Sequence, residues 1–165
     1  MPRDPEKEDC GSIDVIRDIL DFTATVDEAV DLLTSVNVVT DGLPIHYLIA
    51  DAGGRSAIVE FGAGEVHVFP ADDSWQAMTT FRLHEIPEAD RLDECWRYAT
   101  LHEALAACEG HVSPEEGMFL LQSVAQPSPT GSMGTLWSAI YDLSGPVVHF
   151  AARSDFDRIH KYGLP

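Results

Sequence analysis

The side chains of this 165-residue chain that could do chemistry are its histidines, its cysteines and its many carboxylates. The seven histidines stand at positions 46, 67, 84, 102, 111, 149 and 160. None of them forms an HxH, HxxxH or HExxH pattern, the spacings that bring imidazoles to one face of a strand or helix. The sequence therefore predicts no metal site, and we expect neither a metal ion nor another cofactor.

The three cysteines are the candidates for a nucleophile: Cys10, Cys95 and Cys108. A catalytic thiol needs a lowered pKa and a nearby base. Glu8 and Asp9 precede Cys10 and would raise its pKa, while Cys95 and Cys108 fall among apolar residues of predicted helices, where a thiol is usually a small hydrophobic group. No cysteine is therefore predicted to be catalytic. An odd number of cysteines, without a CxxC motif or a secretory signal, indicates reduced thiols and a cytoplasmic location.

Two other conspicuous motifs have structural explanations. Residues Asp51 to Arg55, DAGGR, join two β-rich runs, so they predict a hairpin turn and not a phosphate-binding loop at a helix N-terminus. Glu115 and Glu116 lie in the first turn of a predicted helix, where carboxylates are favourable to the helix dipole. No GxSxG motif occurs, so the sequence gives no support to a serine hydrolase of the nucleophile-elbow type.

Composition and charge exclude several classes of protein. With 45% hydrophobic and 23% charged residues, the chain is typical of a globular protein. Ten basic and 28 acidic residues give a net charge of 10 − 28 = −18, which disfavours nucleic acid and anionic membranes as partners. No apolar run could span a bilayer. The charged, proline-containing start predicts a flexible tail over residues 1–11, followed by one domain over residues 12–165.

Local patterns predict helices and strands in separate blocks. Three Thr/Ser-x-x-Glu capping boxes mark helix starts, and an apolar stripe of Ile13, Ile16 and Leu20 predicts one more helix. A further helix or bent helix pair is predicted over residues 88–108. The capping boxes are Thr25 with Glu28, Thr100 with Glu103, and Ser113 with Glu116.

The strand pattern predicts a four-strand antiparallel meander and a later hairpin. Strands in blocks indicate an α+β fold, with an antiparallel sheet and helices packed on one side. Several strands are apolar on both alternating faces, so the second face should meet a second copy or a partner chain. The predicted strands are His46–Asp51, Ser56–Phe61, Glu65–Phe69 and Trp75–Thr80 in the meander, and Thr135–Leu143 and Val147–Ala152 in the hairpin.

The order of these residues resembles the choloylglycine hydrolase and penicillin acyltransferase group, which are linear-amide C–N hydrolases of the N-terminal nucleophile (Ntn) superfamily. HYLIADAGGRSAIVE, from His46 to Glu60, resembles the group's strand–turn–strand signature. MTTFRL, from Met78 to Leu83, resembles its T-N-F segment, Cys95–Tyr98 its arginine-bearing helix and Thr135–Leu143 its closing hairpin. The resemblance covers residues 13–164 and implies the C-terminal half of the family's four-layer α-β-β-α sandwich.

The resemblance also implies a site, with two departures. Family members attack the amide carbonyl with a cysteine at the processed N-terminus, whose free α-amine is the base. Nothing in this sequence matches that element. Thr80 stands where the family has an oxyanion-binding asparagine, and loss of such a donor costs about 100- to 1000-fold in rate. Arg97 matches the family's arginine, with a surface ion pair as the alternative role.

Three explanations of the missing nucleophile stay open. The chain is one subunit of a split amide hydrolase, a degenerate homologue, or a truncation. We expect a hydrolase or acyltransferase family protein for a small amide substrate, inactive as an isolated chain. The alternative is a non-enzymatic interaction or ligand-binding domain that self-associates through its open sheet face. Both predict a homo-oligomer or a second chain, which in the first case supplies the nucleophile half.

Overall fold

The computed structural model of the chain describes residues 4–40, 42, 45–62, 64–127 and 134–163. They fall into two compact units, Met1–Cys95 and Trp96–Pro165. Each unit contains helices and one three-stranded antiparallel sheet, which confirms the predicted α+β class. Over these ranges, no helix combines the length and the apolar character needed to cross a membrane.

The first unit contains two sheets and two main helices. The elements are β1 (Asp9–Gly11), α1 (Asp14–Phe22), α2 (Val26–Ser35), β2 (Asn37–Val39), β3 (His46–Ala50), β4 (Ser56–Gly62), β5 (Glu65–Pro70), a 3₁₀ turn (Glu88–Asp90) and α3 (Arg91–Glu94). The larger sheet has the strand order β3-β4-β5, all antiparallel, and the smaller one is the parallel pair β1-β2.

The start of α2 and the β3–β4 turn hold each other in place. The predicted capping box is confirmed, because the Thr25 hydroxyl accepts from the Glu28 N–H while the Glu28 carboxylate accepts from the Thr25 N–H. The Asp51 carboxylate accepts from Val26 N at 3.0 Å. The turn itself requires Gly54, whose φ is +83°. The motif DAGGR is therefore a hairpin turn, as predicted, and it also supports the N-terminus of α2.

The core of the first unit lies between the helices and one face of the β3-β4-β5 sheet. Its buried members are Val15, Leu33, Val38, Tyr47, Val59 and Phe61. The apolar stripe used to predict α1 is not part of it: Ile13 is 74% and Leu20 is 76% exposed, whereas Val15 is fully buried. Because α1 carries apolar residues on two faces, its periodicity predicts a helix without showing which face is packed.

One prediction for the first unit is wrong, and the start of the chain makes contacts that the sequence pattern does not predict. The predicted strand Trp75–Thr80 does not exist; instead Gln76 joins the sheet through its side chain, which accepts from Ser56 Oγ at 2.8 Å and donates to Phe69 O at 2.9 Å. The meander therefore has three strands. The described residues of the predicted tail are hydrogen-bonded, because Asp9–Gly11 pairs with β2 and Asn37 Nδ2 donates to the Asp4 carbonyl at 2.8 Å. Both differences depend on partners that are distant in the sequence.

The second unit is one sheet with a helix against one face. The Ser113–Glu116 capping box is confirmed at the start of helix α5 (Pro114–Ser123). Gly117 lets this helix approach the sheet, since a Cβ there would lie 3.1 Å from Ile140 Cδ1. The helix start predicted at Thr100 is wrong, because the helix begins at Trp96 and Thr100 Oγ1 donates to Trp96 O. The elements are α4 (Trp96–Ala107), α5 (Pro114–Ser123), β6 (Trp137–Asp142), β7 (Val147–Ala152) and β8 (His160–Gly163), with the antiparallel order β6-β7-β8.

Candidate functional site

A buried carboxylate lies at the centre of the β3-β4-β5 sheet. Glu60 is fully buried in β4, and its direct cross-strand partners are His46 on β3 and His67 on β5. Directly opposite residues of antiparallel strands share a face. A row of histidine, glutamate and histidine therefore crosses the sheet on the face opposite to the core residues Val59 and Phe61.

The Glu60 carboxylate accepts four hydrogen bonds, two at each oxygen. Oε1 accepts from Leu83 N at 2.8 Å and lies 3.2 Å from His46 Nδ1. Oε2 accepts from His84 N at 3.0 Å and lies 2.7 Å from His84 Nδ1. We call Glu60, His46, Leu83 and His84 the Glu60 network. Each carboxylate oxygen thus has one backbone N–H and one imidazole as partners.

The Glu60 network favours the ionised carboxylate. Burial alone would raise the pKa of Glu60, but hydrogen bonds from the backbone of His84 and Leu83 and from the imidazoles of His84 and His46 lower it below its usual value. An ionised carboxylate has only acceptors. Both imidazoles therefore carry their proton on Nδ1 where they meet Glu60, and this fixes the orientation of both rings.

His84 is held on two further sides. Its ring stacks on His67, with centroids 4.2 Å apart and planes 8° apart. It also lies directly over Gly62, where a Cβ would come within 2.6 Å of His84 Cε1. Glycine is needed at position 62 because any side chain would displace the imidazole from Glu60. The buried His67 Nε2 has no hydrogen-bond partner in the described part of the chain.

The structure places Thr80 in a segment that β4 holds at two points. Before Thr80, Gln76 is bonded to Ser56; after it, Leu83 and His84 are bonded to Glu60. The Thr80 side chain is exposed. Two side chains of one strand therefore fix both ends of the segment that resembles the family's T-N-F motif. Glu60 is not among the site residues predicted from the sequence, although an acidic residue inside the apolar run Ala57–Phe61 is a signal.

Arg97 belongs to the other unit. It lies in the first turn of α4, where its side chain is partly buried. Thr80 and Arg97 are thus the two residues that the resemblance assigns to a site, one in each compact unit. The prediction that they reach one ligand stays a prediction.

The three thiols are partly buried. Burial, followed by Asp18 and Asp14, raises the pKa of Cys10, whose Sγ is 3.7 Å from Asp18 Oδ2. Cys108 lines a pocket that His111 also lines, but its thiol donates to Leu105 O at 3.5 Å. Cys95 is partly buried between α3 and α4.

The titratable side chains of the described residues do not cluster as metal ligands do. Over residues 4–127 and 134–163, apart from the undescribed positions among them, no group of three or more His, Cys, Asp or Glu side chains could hold a metal ion. In the Glu60 network the imidazole Nδ1 atoms face a carboxylate, to which they donate hydrogen bonds. The geometry is that of a buried hydrogen-bond network.

Both the sequence and the fold of this chain are similar to those of known proteins. The chain has the fold of the two solved structures described below, on which it superposes over most of its length. The family model described as acyl-coenzyme A:6-aminopenicillanic acid acyl-transferase matches residues 1–155, and the chain belongs to this family. The predicted membership of the penicillin acyltransferase group is thereby confirmed.

Two solved structures illustrate the likeness. A variant of the conjugated bile acid hydrolase from Clostridium perfringens superposes with a TM-score of 0.71 at 15% identity, over 97% of this chain and 64% of that one. Penicillin V acylase from Agrobacterium tumefaciens gives 0.66 at 23% identity, over 91% of this chain and 55% of that one. This chain therefore spans less than two thirds of the length of either. No curated protein matches the sequence.

Proposed function

We propose that this chain is part of a hydrolase or acyltransferase for linear amide C–N bonds and that its β4 strand positions the oxyanion side of the site. The observation that carries the proposal is the double attachment of the Thr80 segment, through Gln76 to Ser56 and through Leu83 and His84 to Glu60. Oxyanion stabilisation depends on donors that are fixed before the reaction, and a segment held at both ends meets that need.

The cysteine nucleophile, in this proposal, lies on residues outside this sequence, on another polypeptide or on a further part of the same one. The raised pKa of Cys10, and the bond from the Cys108 thiol to Leu105 O, support it. A thiolate from that source attacks the amide carbonyl, and the Thr80 hydroxyl donates to the resulting oxyanion. The thiol proton passes through the base to the departing amine, and water or an acceptor amine then releases the acyl group from the sulfur. Arg97 would orient a substrate carboxylate through its planar guanidinium.

A second candidate function is an interaction domain without catalysis. The observation in its favour is an exposed aromatic sheet face in the second unit, where Trp137, Tyr141 and Tyr162 are each more than half exposed. The two functions predict different behaviour of the purified chain once its natural partner is present, because only the first yields amide hydrolysis or acyl transfer.

The first experiment tests the thiols directly. The purified chain is incubated with a p-nitrophenyl acyl ester and with an acyl amide such as penicillin V, and intact mass is recorded. We expect neither turnover nor an acyl adduct on any of the three cysteines, because a nucleophile needs a thiolate beside a base. A stoichiometric adduct on Cys10 or Cys108 would contradict a nucleophile outside this sequence.

The second experiment tests Thr80 in the complex purified from the native cell through a tag on this chain. Thr80→Val removes the donor and should lower acyl transfer about 100-fold or more, whereas Thr80→Asn supplies a longer donor and should keep or raise the rate. Thr100→Val is the matched control, because the Thr100 hydroxyl donates within its own helix, to Trp96 O. Equal rates for Thr80→Val and the control would refute the role of Thr80, and a complex inactive on every amide would favour the interaction domain.

A further inference from the structure

Two imidazole rings lie face to face beside the Glu60 network. His67 on β5 is the direct cross-strand partner of Glu60, and its ring stacks on that of His84 with centroids 4.2 Å apart and planes 8° apart. A stacked neighbour limits how the His84 ring can tilt. His84 holds Glu60 through both its backbone N–H and its Nδ1, so the stack supports one end of the Thr80 segment, residues 76–84.

The surroundings of His67 fit a neutral ring. Its Nε2 is buried and has no hydrogen-bond partner among the residues that the structure describes. Glu60 already accepts two backbone hydrogen bonds and two from the imidazoles of His46 and His84, which fill its usual four acceptor positions, and Glu65 on β5 is exposed. An imidazolium carries an N–H at both nitrogens. Protonation of His67 in place would therefore bury an unpaired donor of a charged group, which is costly.

The charged groups around the two rings favour a proton on His84 over a proton on His67. His84 Nδ1 is 2.7 Å from Glu60 Oε2, and its Nε2 is 3.7 Å from Glu85 Oε1. Glu85 also forms an ion pair with Arg82. A proton on His84 would place a positive ring 4.2 Å from His67, and a like charge at that distance disfavours a second proton there. The folded network therefore keeps His67 neutral.

We propose that His67 is a positioning residue for the Thr80 segment and that it acts through His84 only while its own ring is neutral. The inference rests on the proposed function, since this segment carries the oxyanion donor there. Proton uptake by His67 requires its ring to leave the stack, which removes the support from His84. Because exposed imidazoles take up a proton between about pH 8 and about pH 5, acid should loosen the segment and weaken oxyanion stabilisation.

Proton linkage sets the size of the effect. An imidazole in water has a pKa of about 6.5, so the opened state binds a proton that the closed state does not bind. Between about pH 7.5 and about pH 5.5 this difference makes opening about tenfold more favourable. A phenyl ring can keep the stacked contact but has no titratable nitrogen, so His67→Phe should lack this factor. Glu60 and His84 are present in both chains, so their titration does not explain the difference.

The test is hydrogen exchange of the purified chain at about pH 7.5 and about pH 5.5, read as protection factors of the Leu83 and His84 amides, which donate to Glu60. The wild-type factors should fall about tenfold more between the two pH values than those of His67→Phe. His67→Ala removes the stack and should lower them about tenfold already at about pH 7.5. His160→Phe is the matched control, because it replaces an exposed histidine of β8, and it should keep the wild-type pH dependence.

Two results would overturn the proposal: equal pH dependence in the wild type and His67→Phe, or wild-type protection in His67→Ala. If His67→Phe does not fold, nitrogen NMR of the wild type decides, because a charged His67 ring in the closed state at about pH 5.5 also overturns it. In the complex purified from the native cell, acyl transfer should decline more steeply with acid in the wild type than in His67→Phe. A complex inactive on every amide would refute the proposed function alone, because exchange in the purified chain decides the role of His67.

Discussion

The Glu60 network makes a quantitative prediction for Glu60→Gln. The substitution keeps the shape of the side chain but turns one carboxylate oxygen into an amide nitrogen. Whichever oxygen is replaced, the new amino group faces one backbone N–H and one imidazole N–H. The imidazole can move its proton to Nε2 and accept from the amide, whereas the backbone N–H cannot adapt.

The magnitude follows from this count. One buried backbone N–H loses its acceptor, at a cost of about 1–3 kcal/mol, and the remaining hydrogen bonds lose the extra strength of a charged acceptor. Breaking a buried charged network by removing one partner typically costs about 3–5 kcal/mol. Because Gln keeps part of the network, we expect Glu60→Gln to lower the free energy of unfolding by about 3 kcal/mol.

The assay is urea unfolding at neutral pH, combined with hydrogen exchange of the amides of Leu83 and His84. Glu65→Gln is the matched control, since Glu65 is exposed at the start of β5 and the same change there should cost less than about 0.5 kcal/mol. Exchange at Leu83 and His84 should accelerate in Glu60→Gln and not in the control. A folded Glu60→Gln variant within about 0.5 kcal/mol of the wild type, with unchanged exchange, would refute the reasoning.

Three further predictions concern the same unit. Gly62→Ala should cost about 1–3 kcal/mol in urea unfolding because it displaces His84, whereas Gly163→Ala, which meets nothing within 4 Å, should cost far less. The pKa of Glu60 is lower in the folded chain than its unfolded value of about 4.3, so its stabilisation is fully present above that value and is lost as the pH falls through the folded pKa. The free energy of unfolding should therefore fall less steeply between about pH 6 and about pH 3 in Glu60→Gln than in the wild type. Gly54→Ala should cost about 1 kcal/mol from its positive φ alone, and Gly54→Asn less.

Local sequence determines the structural elements of this protein whose hydrogen-bond partners lie three or four residues apart in the chain. The capping boxes at Thr25 and Ser113 form as predicted, because both hydrogen-bond partners belong to one helical turn. The turn at Gly54 follows in the same way from a glycine at a positive φ between two apolar strands. The capping pair at Thr100 failed because helix α4 begins one turn earlier, so the same residues lie inside it.

Only the tertiary structure determines the structural elements whose hydrogen-bond partners are distant along the chain. Strand β1 exists because Asp9–Gly11 meets β2 at residues 37–39, and the segment around Thr80 is not a strand because Ser56 and Glu60 bind it through side chains. The resemblance in residue order was sufficient to predict the family, which the match over residues 1–155 confirms.

The candidate site shows the same division. Residues 46, 60, 67 and 84 carry no recognisable spacing, since the register of three strands brings the first three into one row and a loop adds the fourth. A one-residue shift of either strand pairing would move a histidine to the other face of the sheet. The sequence contains the glutamate and the histidines, but contact between them depends on strand register. The side-chain pattern of each strand alone does not specify that register.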